Sequence, residues 1–237
     1  MKHLHFKDLI LNESPDYILI NKPPFISTLE DRNDPQNILV LAKEYASDAQ
    51  VCHRLDKDTS GVLAIAKNPE AYRHLSMQFE SREVKKTYHA VVDGIHQFDN
   101  VLVDAPILKQ NDGTVKISRQ GKDAQTYFTT LQLYKQQTLV ECSPITGRMH
   151  QIRIHLSQLN TAITGDETYG GKLFFLSSIK RGFKLEKSTE EQPLIKRMAL
   201  HAFSLQFVDL HSHEIVTEAP YPRDFQALLK QLSQNLR

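Results

Sequence analysis

The chain is poor in several things at once. It has two cysteines in 237 residues, Cys52 and Cys142. That excludes a disulfide framework and a cysteine metal quartet, and it fits a reducing cytosol. No apolar run approaches transmembrane length, and the first residues carry no apolar signal core. The expectation is a soluble, cytoplasmic chain with no membrane partner. No internal repeat is visible. Excess charge of one sign is missing too: 29 Lys and Arg stand against 28 Asp and Glu, for a formal net charge of +1. Such balance neither requires nor excludes nucleic acid. A binder built this way gathers its positive charge on one face.

What is present supports a packed core. Apolar residues at 40% and charged residues at 24% exclude a disordered chain. The length suits one large domain or two small ones, and the expectation is a single domain over 1–237. Residues 16–21 read as a short buried strand, stopped by Lys22-Pro23-Pro24. Helices are expected over 37–45, from Pro69 to about residue 80, over about 148–159, and over 225–236. Strands are expected over 62–66, 86–93, 101–109, 114–118, 124–134 and 137–142, with a late hairpin of 204–208 and 214–217. The monomer is the default, because no heptad or long apolar stripe suggests otherwise. The fold class is then α+β: a mixed, mainly antiparallel sheet with flanking helices.

Three separated segments carry chemistry. Residues 53–61 read His-Arg-Leu-Asp-Lys-Asp-Thr-Ser-Gly, a dense polar turn on the lip of a buried strand. If the backbone there is extended, Arg54 and Asp56 project to one side and His53 and Leu55 to the other. A carboxylate beside a guanidinium stays ionised at neutral pH, which suits a nucleophile and not a general acid. The bland reading is an ordinary Arg–Asp pair at a turn. The second segment is Lys86-Thr87-Tyr88. Lys86 could reach phosphate, and Tyr88 could offer a ring face for a base and a hydroxyl for proton transfer. The bland reading is a core tyrosine beside a solvated lysine pair. The third segment, 147–155, reads Gly-Arg-Met-His-Gln-Ile-Arg-Ile-His. On a helical wheel Arg153 lies beside the apolar stripe, so its head is expected to be partly buried. A buried arginine demands a carboxylate, and Asp56 is the obvious candidate. Five residues apart on a helix, His150 and His155 point about 140° from each other, so no metal is expected there.

Taken together, these segments resemble the RluA family of RNA pseudouridine synthases. Gly165-Asp166-Glu167-Thr168-Tyr169-Gly170 and Leu200-His201-Ala202 also match the family's patterns, in its order. The resemblance runs from about residue 16 to about residue 222. It implies isomerisation of uridine in structured ribosomal or transfer RNA, without cofactor or metal. It makes Asp56 the catalytic aspartate and Tyr88 the residue that stacks on the target base. Arg153 becomes the arginine paired with the aspartate, and Arg54 the arginine that fills the space left by the flipped uridine. His53, Thr59 and Gly61 look like support for the turn. His53, Lys86, Arg148 and His150 are kept as candidate RNA contacts, with the last two serving either phosphate or the helix.

Two departures stand out. Pro24 and Phe25 sit where relatives often have a small residue and glycine. Residues 173–196 form a longer excursion than usual, with Lys172, Lys180, Arg181, Lys184 and Lys187 in or beside it; it is either an RNA-contacting insertion or a solvated loop. The small N-terminal RNA-binding module of many relatives is not expected here. The alternative function is a catalytically silent RNA-binding relative acting in ribosome or tRNA maturation, which the retained Asp56, Tyr88 and Arg153 argue against. A hydrolase using His53 with Ser60 is a further rival, though the Gly-x-Ser-x-Gly elbow is missing.

Overall fold

The structure is a computed structural model, and it describes residues 4–30, 36–185 and 189–236. In chain order the elements are β1 (Ile10–Glu13), β2 (Tyr17–Lys22), α1 (Ile38–Tyr45), β3 (Gln50–Val51), β4 (Ser60–Ala66), α2 (Pro69–Glu80) and β5 (Lys85–Asp93). They continue with β6 (Val101–Asp104), β7 (Ile107–Lys109), β8 (Val115–Ile117), β9 (Gln125–Leu133), β10 (Gln137–Pro144), α3 (Gln151–Gln158), β11 (Leu200–Val208), β12 (Glu214–Glu218) and α4 (Arg223–Gln234). The expected α+β class holds: strands dominate, and the pairings of β1, β2, β3, β4, β11 and β12 among themselves and of β5, β6, β7, β8, β9 and β10 among themselves are antiparallel apart from β4 with β11. Among the described residues no helix is long and apolar enough to cross a membrane.

The chain divides into two compact units, one of Met1–Thr87 with His201–Tyr221, the other of Tyr88–Leu200 with Pro222–Arg237. In the first unit the strands run β1-β2-β4-β11, with β3 also on β4 and β12 on β11. Every residue of β4 is buried, because neighbours cover both its edges and both its faces. The core there gathers Tyr17, Leu19, Val62, Ala64, Leu75, Leu205 and Phe207. Burying a side chain such as Leu75 contributes about 2 kcal/mol. The small residues of β4 leave room for α2 to pack, and Tyr17 Oη donates to Ala71 O at 3.2 Å.

Both helices of this unit start where local chemistry says they should. Asn37 caps α1 by accepting the Val40 N–H, and Asn68 caps α2 by accepting the Ala71 N–H. Pro69 then occupies the first turn, where a missing N–H costs nothing.

In the second unit β5-β10-β9-β6 form an antiparallel run, and β7 pairs with β8. The Asp112-Gly113 turn joins that hairpin, with Asp112 Oδ1 accepting the Thr114 N–H. Three expectations need adjustment. The single strand expected over 101–109 breaks at Ala105-Pro106: the Ala105 N–H goes to Ala124 O, Pro106 has no N–H to give, and β6 and β7 find different partners. The third helix starts at Gln151, because His150 turns into the left-handed region at φ 52°. The last helix starts at Arg223, just after Pro222, and buries Phe225, Leu228 and Leu232 on one face. Strands β1 and β3 were not expected.

The described part of the 173–196 excursion is anchored by buried Phe174, Ile179 and Ile195. Lys172, Lys180, Arg181 and Lys184 stand exposed on it, while Lys187 lies outside the described residues.

Candidate active site

The turn that carries Asp56 leads from β3 into the buried β4. It is tied down on both sides of the carboxylate. On one side, Thr28 Oγ1 accepts the Leu55 N–H at 3.1 Å and donates to Leu55 O at 2.9 Å. On the other, Lys22 reaches in from the end of β2. Its side chain is 0% exposed, and Nζ donates to Pro23 O, Ile26 O and Lys57 O at 3.0, 2.8 and 3.1 Å. Three carbonyls thus replace much of the ammonium's lost hydration. The Thr59 N–H donates to Asp56 O at 3.0 Å and closes the turn. Accessibility alternates along it: Arg54 exposed, Leu55 buried, Asp56 half-buried. Gly61 ends the turn at φ 119°, where a Cβ would stand 2.1 Å from Ala202 O. Only glycine allows β4 and β11 to approach in parallel there.

Phe25, which stands where relatives often have glycine, adopts φ 68° with its side chain 53% exposed. The loop around Lys22 therefore keeps a backbone shape that favours glycine, without glycine.

His53 supports the turn from below. Its Nε2 accepts the Ala64 N–H at 3.0 Å, and its ring lies on Phe79 with centroids 4.7 Å apart. Burial pushes its pKa down to about 3, with the Lys86 charge adding to the effect. A neutral ring with Nε2 occupied offers RNA no cation. Burial also lowers Lys86, to about 8, so it keeps most of its charge near neutrality. The hydrolase rival fails on geometry: Ser60 is buried, its hydroxyl bonds His201 Nδ1 at 2.9 Å, and His201 Nε2 donates to Ala219 O.

The second unit holds the other candidates. Tyr88 lies half-buried on β5, opposite Cys142 of β10. Gln151, first residue of α3, uses its whole amide: Oε1 accepts from Thr146 Oγ1 and the Arg148 N–H, and Nε2 donates to Gln125 O and Thr126 Oγ1. Arg148 Nε donates to Asp123 O at 3.0 Å. His155, fully buried, spends both ring nitrogens on Thr126 Oγ1 and Ala105 O, so it holds the helix.

Arg153 is 9% exposed, as its place beside the apolar stripe led us to expect. Its carboxylate partner within this unit is Asp166, which accepts Nε at 2.6 Å and Nη2 at 2.7 Å. The Tyr169 ring lies against the guanidinium, with Cζ 4.8 Å from the centroid. His150 Nδ1 meets Tyr169 Oη at 2.8 Å.

His53, Arg54, Asp56 and Lys86 are thus gathered in one unit, while Tyr88, Arg148, His150 and Arg153 belong to the other. Four residues with evident work were given no role in the sequence: Lys22, Thr28, Asp166 and Tyr169. The last two lie in a quoted motif, and Lys22 precedes a proline pair. Thr28 carried no signal.

The comparisons with known proteins bear on the family. Residues 16–158 match the family model described as RNA pseudouridylate synthase. The ribosomal large subunit pseudouridine synthase C of Buchnera aphidicola is 34% identical, over 96% of this chain and 71% of its own length. The Vibrio cholerae protein of the same name is 38% identical, over 67% of this chain and 47% of its own length. Among solved structures, Human RNA Pseudouridylate Synthase Domain Containing 4 is similar at TM-score 0.72 and 26% identity, covering 96% of this chain and 95% of that one. With its family model covering more than half the sequence, and with the motifs at 53–61, 86–88 and 147–155 in order, this chain belongs to the RNA pseudouridylate synthase family.

Proposed function

We propose that this RNA pseudouridine synthase isomerises uridine in large-subunit ribosomal RNA, with Asp56 as the reacting carboxylate. The observation that carries the reading is the pinned turn. Thr28 and Lys22 fix the residues on either side of Asp56, which is what preorganisation of a reacting group requires. The substrate class is supported by the relatives, whose names specify the ribosomal large subunit. The two compact units are read as parts of one catalytic domain, since the family match runs through both. A single chain working in the cytoplasm completes the proposal, supported by two unbridged cysteines.

The reaction cuts the bond between uracil N1 and ribose C1′, turns the base, and rejoins it through C5, which gives up its proton while N1 takes one up. The target must first leave its stack, at a cost of a few kcal/mol. Arg54, exposed beside Asp56, fills the vacated space, and Tyr88 stacks on the base. Asp56 acts as an anion, as nucleophile or as base at the sugar. The family resemblance gives Arg153 the role of the arginine that serves the reacting carboxylate. Lys86, Arg148, His150 and the exposed cations of the 173–196 excursion take phosphate contacts, which position the RNA without reading its sequence.

Asp56→Asn tests the reading directly. Tritium release from RNA labelled at uridine C5 is expected to vanish, while RNA binding on filters persists. Full turnover by the variant overturns the assignment. Mapping pseudouridines in total RNA from a deletion strain tests the substrate: a site lost from transfer RNA, with ribosomal RNA unchanged, overturns the ribosomal part.

A further inference from the structure

The motif at 165–170 surrounds the guanidinium of Arg153 on two sides. From one side, Asp166 grips Nε and Nη2 in a fork. Asp166 is itself 3% exposed, and its N–H donates to Ile163 O at 2.9 Å. Against one face, the Tyr169 ring covers the guanidinium. The far end of that ring is also fixed. Tyr169 Oη accepts the Val115 N–H at 3.0 Å and is hydrogen-bonded to His150 Nδ1 at 2.8 Å. His150 is the residue that leads into α3, the helix that carries Arg153.

The fork and the ring do different things. A bidentate carboxylate sets the plane of a guanidinium and the direction of its long axis. A ring face sets its tilt and screens that face from water. Because the fork takes the Nε/Nη2 edge, the Nη1 edge is directed away from Asp166. An arginine on its own has four flexible torsions, and ordering such a side chain costs rotamer freedom. Here that cost is met on folding, before any substrate arrives.

We infer that Asp166 and Tyr169 are positioning residues for Arg153, holding its guanidinium in the one orientation that the reaction uses. The inference rests on the reading of Arg153 as the arginine that serves the reacting carboxylate. The competing account is that Asp166 only neutralises a buried charge. That account puts the whole effect of its loss on stability and none on kcat.

Five variants separate these accounts, with tritium release giving kcat and KM and with melting temperature followed on the same samples. Asp166→Asn keeps the shape but replaces one acceptor with an N–H that faces the guanidinium. It is expected to lower kcat by about 100-fold in the folded enzyme, with KM nearly unchanged. Tyr169→Leu removes the ring and is expected to lower kcat by about tenfold. Tyr169→Phe restores the face and is expected to recover most of that loss, although it gives up the bonds to Val115 and His150. Adding Asp166→Asn to Arg153→Ala is expected to slow the enzyme no further, since both act through one group. Full kcat in Arg153→Ala overturns the reading of Arg153 itself. A slow Arg153→Ala beside unchanged kcat in Asp166→Asn and Tyr169→Leu overturns the positioning role alone. If Asp166→Asn does not fold, the pair at Tyr169 decides: equal kcat in the Leu and Phe variants overturns the proposal.

Discussion

Lys22→Met asks how much of the catalytic turn depends on one buried ammonium. Met has nearly the same length and volume, so packing survives while three donors disappear. The three carbonyls do not lose equally. The bond to Ile26 O is fully buried, and that oxygen is left without its donor, at about 1–3 kcal/mol. The bonds to Pro23 O and Lys57 O are part-buried, so water replaces much of what is lost, and about 1 kcal/mol each remains. Against this, the folded state no longer has to desolvate an ammonium. The net expectation is a loss of about 2–4 kcal/mol in urea unfolding. Turnover is expected to fall further than stability explains, because the lost bond to Lys57 O frees the residue next to Asp56. The assay is tritium release at a temperature where the variant is fully folded, beside Thr28→Val, which cuts the other tie at Leu55. A Lys22→Met enzyme within about 0.5 kcal/mol of the parent, with unchanged kcat, refutes the reasoning.

Two further outcomes follow from the same unit. Phe25 holds a left-handed backbone that costs an ordinary residue about 1–2 kcal/mol; Asn tolerates it, and the exposed ring has little packing to lose, so Phe25→Asn is expected to raise the urea midpoint, and a lowered midpoint counts against the strain. His53 is held near 3 in the fold and sits near 6.5 in the unfolded chain, so the unfolded state binds the extra proton between those values. Stability from this group is present above about 6.5 and is lost as pH falls toward 3, by up to about 1.4 kcal/mol per pH unit. His53→Gln is expected to flatten that slope in urea unfolding; identical slopes refute it.

Local chemistry made much of this chain legible. Asn37, Asn68 and Pro69 announce two helix starts because a cap needs only the three residues that follow it. The apolar run of β4 and the Asp112-Gly113 turn are equally short-range. The 3.6-residue period placed Arg153 beside the apolar stripe, and burial followed. The break at Ala105-Pro106 was also within reach, since a proline removes a ladder donor, but the apolar pattern on both sides masked it.

Partnership was not legible. A lysine reads as a surface residue, and nothing near Lys22 says that three carbonyls close around its ammonium. Thr28 lies 27 positions from the Leu55 backbone that it holds. Asp166 grips Arg153 from 13 positions away, and nothing in the sequence reading gave it that role. The sequence by itself determined most of the element types, the buried central strand, the polar turn bearing Asp56 and, through its motifs, the family. The tertiary structure alone decided which groups hold that turn and that arginine. Periodicity and capping act over a few residues, whereas a hydrogen bond between distant segments exists only once the chain has brought them together.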